Sequence, residues 1–236
     1  MNQNLPMLDW NDLQSTIISC RNCPRLVEYR ENVPKRASFI NDEYWRKPIP
    51  GFGDKEAKLL IVGLAPAAHG GNRTGRIFTG DESGRFLFNA LYQTGFANQP
   101  ISESIDDGLK LNGCYMTAAV KCAPPKNLPT KDEFNQCSCY YHNEFFLLKK
   151  VRCVLALGKL SFDAHRAFVK AQGHSIRNMR FHHGARYEME GMPTLYASYH
   201  PSQQNTFTKV LTQPMMVNLL QQIQSEIGLQ FFFKTL

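Results

Sequence analysis

The chain has 236 residues, 43% of them hydrophobic, and a formal charge of +7. That length supports one full core rather than two independent domains, and it contains no apolar run of the roughly 18 residues that would span a bilayer. The first residues, MNQNLPMLDW, lack the positive-then-apolar pattern of a secretory leader. A cytoplasmic protein is expected, nucleoid-associated in a prokaryote, and the basic balance suits an anionic partner such as nucleic acid.

In chain order, the first chemical signal is Cys20-Arg-Asn-Cys23, whose spacing lets one turn offer two thiolates to the same metal. The run LLIVGLA (59–65) then reads as a strand, and GLAPAAHGGNRTGRIFTGD (63–81) follows it with five glycines, two arginines and one carboxylate. Such a loop lets main-chain N–H groups come close to a flat or anionic ligand. Within it, Phe78 can either stack on a base or anchor the loop in the core. Asp81 can act in catalysis or simply cap the helix that ESGRFLFNALYQ predicts. No Gly-Lys-Ser/Thr occurs, which argues against a phosphate-binding NTPase loop.

CYMTAAV (114–120) is the second expected strand, followed by KCAPPKN. Thr130 and Glu133 have the spacing of a capping box, so a helix is expected from there. On that helix Phe134, Cys137, Tyr141 and Phe145 share one largely apolar face, while Cys139 points roughly the other way. Geometry therefore favours Cys20, Cys23, Cys122 and Cys137 as a four-thiolate site with Cys139 in reserve. Either a structural zinc or a [4Fe–4S] cluster suits such a set. Cys114 and Cys153 are expected in the core.

VRCVLALG (151–158) and TLYASY (194–199) complete four nearly continuous apolar runs, as in strands buried on both faces of a parallel sheet. Helical stretches between strands predict a three-layer α/β sandwich around a four-stranded parallel sheet, in one domain. PAAHGGNRTG, KCAPPKN, GKLS and HPSQQN each follow a strand end, where such folds place their clefts. In the last of them Pro201 biases His200 to an extended conformation, so that it projects from the strand end. Ser202 and Asn205 follow as candidate phosphate contacts.

Taken together, GLAPAAHGGNRTGRIFTGD (63–81), KCAPPKNLPT (121–130), HPSQQNTFT (200–208), CRNCPRL (20–26) and IPGFGD (49–54) resemble the uracil-DNA glycosylase superfamily, in its family 5 or type b branch. The resemblance spans nearly the whole chain. It implies a monomeric, monofunctional glycosylase that carries a four-cysteine [4Fe–4S] cluster. The implied substrate is double-stranded DNA containing uracil or another deaminated base such as hypoxanthine, and no catalytic divalent metal is implied. His200 looks like the donor to the leaving base, Phe78 like the stacking wall, and the backbone from Gly63 through Ala65 to Ala67 like the base-edge contact. Ala67 and Ala68 stand where other branches carry a water-orienting polar residue, leaving Asp81 first and His69 second for that task. Lys209 and Val210 stand where a Gly-Arg pair is expected. Arg21, Arg25, Lys121 and Lys126 are candidate phosphate contacts. The competing reading is a non-catalytic metal-containing nucleic-acid-binding protein.

Overall fold

The computed structural model describes residues 8–229, so the stretch 1–7 read for a leader lies outside them. In chain order the elements are α1 (Trp10–Ser19), α2 (Pro24–Asn32), β1 (Phe52–Gly53), β2 (Leu59–Gly63), α3 (Gly71–Thr74), α4 (Glu82–Gln93), β3 (Cys114–Ala118), α5 (Lys131–Leu147), β4 (Cys153–Leu157), α6 (Lys159–Ala171), β5 (Arg186–Met189), β6 (Met192–Ser198), α7 (Gln203–Phe207) and α8 (Gln213–Glu226). No helix among the described residues is long and apolar enough to cross a membrane.

The strands form one sheet in the order β1-β3-β2-β4-β6-β5. The four inner strands are parallel, with Leu59 of β2 opposite Cys114 of β3 on one side and Cys153 of β4 on the other. Alternate residues of β2 divide between the two faces. Leu59 and Ile61 pack with Leu87 and Leu91 of α4 and Leu219 and Ile223 of α8. Leu60 and Val62 pack with Tyr141 of α5 and Phe162 and Val169 of α6. Both faces are covered by helices, which is why these strands read as continuous apolar runs. The three-layer α/β sandwich is thus present.

The sheet has six strands rather than the expected four, because β1 and β5 add antiparallel edges. Neither has a hydrophobic run to announce it. β1 is two residues long, and β5 alternates exposed Arg186 and Glu188 with half-buried neighbours. The expected helix starts hold: Thr130 and Glu133 form a reciprocal capping box on α5, and Asp81 caps α4 by accepting from Gly84 N.

α1 and α2 make a separate small cluster, in which Leu13, Ile17 and Leu26 pack against Val120, Cys122, Cys137 and Tyr140. Beneath it lies a buried ion pair, Lys121 Nζ to Glu144 Oε2 at 2.6 Å, with both side chains 1% exposed. Thr117 Oγ1 donates to the same oxygen and Gly51 N to Oε1. Removing one partner of a buried pair leaves the other charge uncompensated and costs about 3–5 kcal/mol. Lys121→Met is therefore expected to lower unfolding stability by about that amount; an unchanged urea midpoint would contradict the pair's structural role.

Candidate active site

A cleft of about 830 Å³ opens at the C-terminal ends of the parallel strands, lined by residues from 64–85, 124–127 and 200–203 and by Tyr29, Arg36 and Phe39. Of the sequence-predicted site residues it brings together Ala65, Ala67, His69, Phe78, Asp81, His200 and Ser202. Gly63 and Asn205 stand behind this wall. The loop GKLS, expected on the rim, is also not part of it, because Ser161 Oγ turns back to Leu157 O inside α6.

Two of the loop glycines, Gly63 and Gly70, make room for side chains of the site. A β-carbon on Gly63 would sit 2.9 Å from Phe78 Cε2, so Gly63 is the floor under that ring rather than a wall of the cleft. Phe78 holds φ +54°, a conformation costing a non-glycine residue about 1–2 kcal/mol. Its carbonyl is held beside Gly84, where a β-carbon would come within 2.0 Å. The ring is 8% exposed: it packs in the core and also borders the cleft, so the two sequence readings describe different parts of one side chain.

The loop's two arginines stitch it together. Arg73 donates to His69 O, Gly80 O and Asp42 Oδ2. Arg76 is 5% exposed and bonds Thr79 Oγ1, Ser102 Oγ and Asp107 Oδ2. The resulting frame fixes Asp81, whose Oδ1 accepts from Gly84 N at 2.8 Å. Oδ2 lies over Gly70, where a β-carbon would meet it at 2.1 Å. Burial raises the Asp81 pKa above its ordinary 3.8, outweighing the backbone hydrogen bonds that lower it. The carboxylate therefore caps a helix and faces the cleft at once.

His200 follows β6, with Asn205 Nδ2 donating to its carbonyl at 2.9 Å and Ser202 Oγ capping α7. Asn205 thus holds the histidine backbone. Gly158 lies against the His200 β-carbon, and the imidazole is 6.1 Å from the Phe78 ring. Burial pushes its pKa down to about 4, so the ring is neutral at pH 7 and can donate one N–H without carrying charge. His69 Nδ1 lies 3.0 Å from Tyr44 Oη, and its pKa is lowered by burial and by Arg36 and Arg73. Tyr44 and Arg36 were not picked out by sequence reasoning, since both lie outside any apolar run or motif; Gly70 was read as one of the five loop glycines, and its contact with Asp81 comes from across the loop.

The proposed phosphate contacts divide. Lys121 is buried in its ion pair, Arg25 is bound to Glu133 and Arg21 to Glu31, whereas Lys126 is exposed and lines the cleft. The reason is that the lysine and arginines near the cysteines serve the fold there.

Cys20, Cys23, Cys122 and Cys137 line one small recess together with Arg30 and Tyr140. Cys139 is half-buried outside it, donating to Gln136 O. Arg30 Nη1 donates to Cys122 Sγ at 3.0 Å and Lys121 N to Cys137 Sγ at 3.2 Å, donors that suit negatively charged sulfur. Burial, followed by the nearby Cys122 and Cys20, pushes Cys23 up to about 11, and burial raises Cys122 and Cys137 as well. To be held as thiolates, four cysteines so enclosed would need a positive centre among them. Among the described residues no group of three or more His, Cys, Asp or Glu closes around a single metal ion. Four cysteines of this kind suit either a tetrahedral zinc or a [4Fe–4S] cluster.

The model of the uracil DNA glycosylase superfamily matches residues 50–224. A type-5 uracil-DNA glycosylase of Thermus thermophilus is 45% identical over 94% of this chain and 100% of its own length. One from Pyrobaculum aerophilum is 42% identical over 93% and 94%, and one from Mycobacterium leprae 44% identical over 92% and 96%. A type-4 enzyme of P. aerophilum is more distant, at 30% identity over 66% of this chain and 64% of its own. With a rim of strand ends that carries the loop of residues 63–81 and His200, and with these relatives matched almost end to end, the chain belongs to the uracil DNA glycosylase superfamily, in its type-5 branch.

Proposed function

We propose that this protein excises uracil, and also hypoxanthine, from double-stranded DNA by hydrolysing the N-glycosidic bond and leaving an abasic site. The observation that carries the reading is the convergence of a neutral histidine, a partly buried carboxylate and an aromatic ring on one cleft. A base within a duplex is out of reach, so the nucleotide must turn out of the stack, which costs least at a mispair such as U·G. Phe78 borders the space the base would enter.

As the glycosidic bond lengthens, positive charge builds on the sugar and negative charge on the departing base. His200, with Asn205 holding its backbone, would donate its N–H to a base carbonyl oxygen. A neutral donor is well suited to that, since it stabilises the anion without having titrated beforehand. Ionised Asp81 would stabilise the cationic sugar and accept a proton from the attacking water, with Oδ2 fixed above Gly70. His69 is the second group within the cleft able to hold that water. Ser202 and Lys126, which line the cleft, would contact phosphates.

Cys20, Cys23, Cys122 and Cys137 would hold a [4Fe–4S] cluster, supported by the sulfur-directed donors from Arg30 and Lys121. Bound there, the cluster supplies a cross-link between the N-terminal helices and α5, since hydrolysis transfers no electrons.

Asp81→Asn separates the two roles of that residue, because asparagine caps helices about as well as aspartate. Single-turnover base release is expected to fall by about 10²-fold or more with an unchanged melting midpoint; full activity would reduce Asp81 to a cap. His200→Ala should cost about 10²–10³-fold. The lowered histidine pKa means the reactive neutral form is lost only as pH falls toward about 4. The raised Asp81 pKa means its ionised form is lost at higher pH than an ordinary carboxylate's. Any inflection from His200 should therefore lie well to the acid side of 6.5, the ordinary histidine value; an inflection at 6.5 that vanishes in His200→Ala would refute the neutral donor. For the cysteines, Cys137→Ser should lose iron while Cys139→Ser keeps it, as measured by iron content of the purified protein. The reverse would exchange the two ligands.

A further inference from the structure

Among the described residues every arginine but three bonds through its guanidinium to a carboxylate, a carbonyl or a sulfur. The three are Arg36, Arg177 and Arg180. Desolvated or paired arginines serve the fold, whereas an unpaired guanidinium at the surface is a ready partner for phosphate, which it can bind with two parallel hydrogen bonds.

Their positions are not scattered. Arg36 lines the cleft beside Tyr29 and Phe39, close enough to His69 to lower its pKa. Arg177 and Arg180 lie on the segment 172–185 that joins α6 to β5. Residues 164–187 contain five Arg or Lys and no Asp or Glu, so nothing within the segment neutralises them. Its backbone is anchored beside the strand end that carries His200. Phe181 packs 6.0 Å from the ring of Tyr199, the residue before His200, and His183 Nδ1 lies 3.2 Å from Ser198 Oγ. Met179 and Ala185 are buried. The Tyr187 hydroxyl accepts from Arg180 N at 2.8 Å and donates to Arg180 O at 2.5 Å. A cationic arm with a fixed backbone therefore stands next to the strand end that carries His200.

We propose that Arg36, Arg177 and Arg180 grip the phosphates of duplex DNA on the two flanks of the cleft, the arm of residues 172–185 forming one flank. This rests on the reading of the cleft as a DNA site. The protein holds the backbone on both sides of the extruded nucleotide with side chains that no internal partner competes for.

Binding of a fluorescently labelled undamaged duplex, measured by anisotropy at several salt concentrations, tests this directly. Each phosphate contact contributes about 0.9 to the slope of log affinity against log salt. Each arginine changed to glutamine should lower the slope by about 0.9, and the triple variant by about 2.7. Arg180→Lys, which keeps the charge, should retain the slope. Lys149→Gln removes an equal charge from the turn before β4, at the opposite end of the parallel strands, and should leave the slope unchanged. A triple variant with the wild-type slope overturns the assignment, as does an equal loss per charge in Lys149→Gln. Base release by the wild-type protein is scored separately. Release with unchanged slopes overturns the arginine assignment alone; reduced slopes without release support the grip and overturn the excision reading.

Discussion

The buried pair of Lys121 and Glu144 ties together most of what gives this molecule its site. Glu144 lies on α5 and accepts from Lys121, from Thr117 in β3 and from the backbone at Gly51. Lys121 in turn gives its amide to Cys137 Sγ and accepts Ile49 N at its carbonyl. One enclosed charge pair therefore sets the height of a strand end, the loop that carries Cys122 and Pro124, and the helix that carries Cys137. Taking two charges out of water is costly unless every remaining donor and acceptor is satisfied. Here both carboxylate oxygens and two of the ammonium donors have partners, so the pair is tied to one arrangement of four chain segments.

A second constraint acts on the other side of the cleft. The loop of residues 63–81 is shaped from inside by Arg73 and Arg76, and its glycines allow Phe78 and Asp81 to lie directly on backbone. Phe78 in a left-handed conformation stores backbone strain where function is expected, and the surrounding hydrogen bonds hold it there. The electrostatic result is a site with few free charges: the histidine is kept neutral and the carboxylate is biased toward its neutral form by the same burial. Free cations are kept to the flanks.

Much of this was legible in the sequence, for identifiable reasons. The inner strands are buried on both faces and so have no polar residues to blur their runs, and the capping box at Thr130 is a two-residue chemical signature. The cysteine preference also followed from helical periodicity, which turns Cys137 inward and leaves Cys139 half-exposed. The edge strands were not legible, since β1 is too short to have a period and β5 alternates with charge. Nor could the sequence separate paired from unpaired cations: Lys121, read as a candidate phosphate contact, is among the most buried side chains, and the arm with Arg177 and Arg180 carried no motif. Asp81 shows the same limit in another form, because a cap and a catalytic group would use the same carboxylate, and the place of its second oxygen over Gly70 has no sequence signal.

Hydrolytic base removal in this cleft is open to a simple assay. The most direct measurement incubates the protein, in EDTA, with a duplex containing a single U·G pair and follows both free uracil and strand breakage after hot alkali. Release of free uracil, with breakage at the lesion only after alkali, is the predicted result. An intact strand and no free uracil from protein that binds the duplex would contradict it, and would instead describe a nucleic-acid-binding protein without this chemistry.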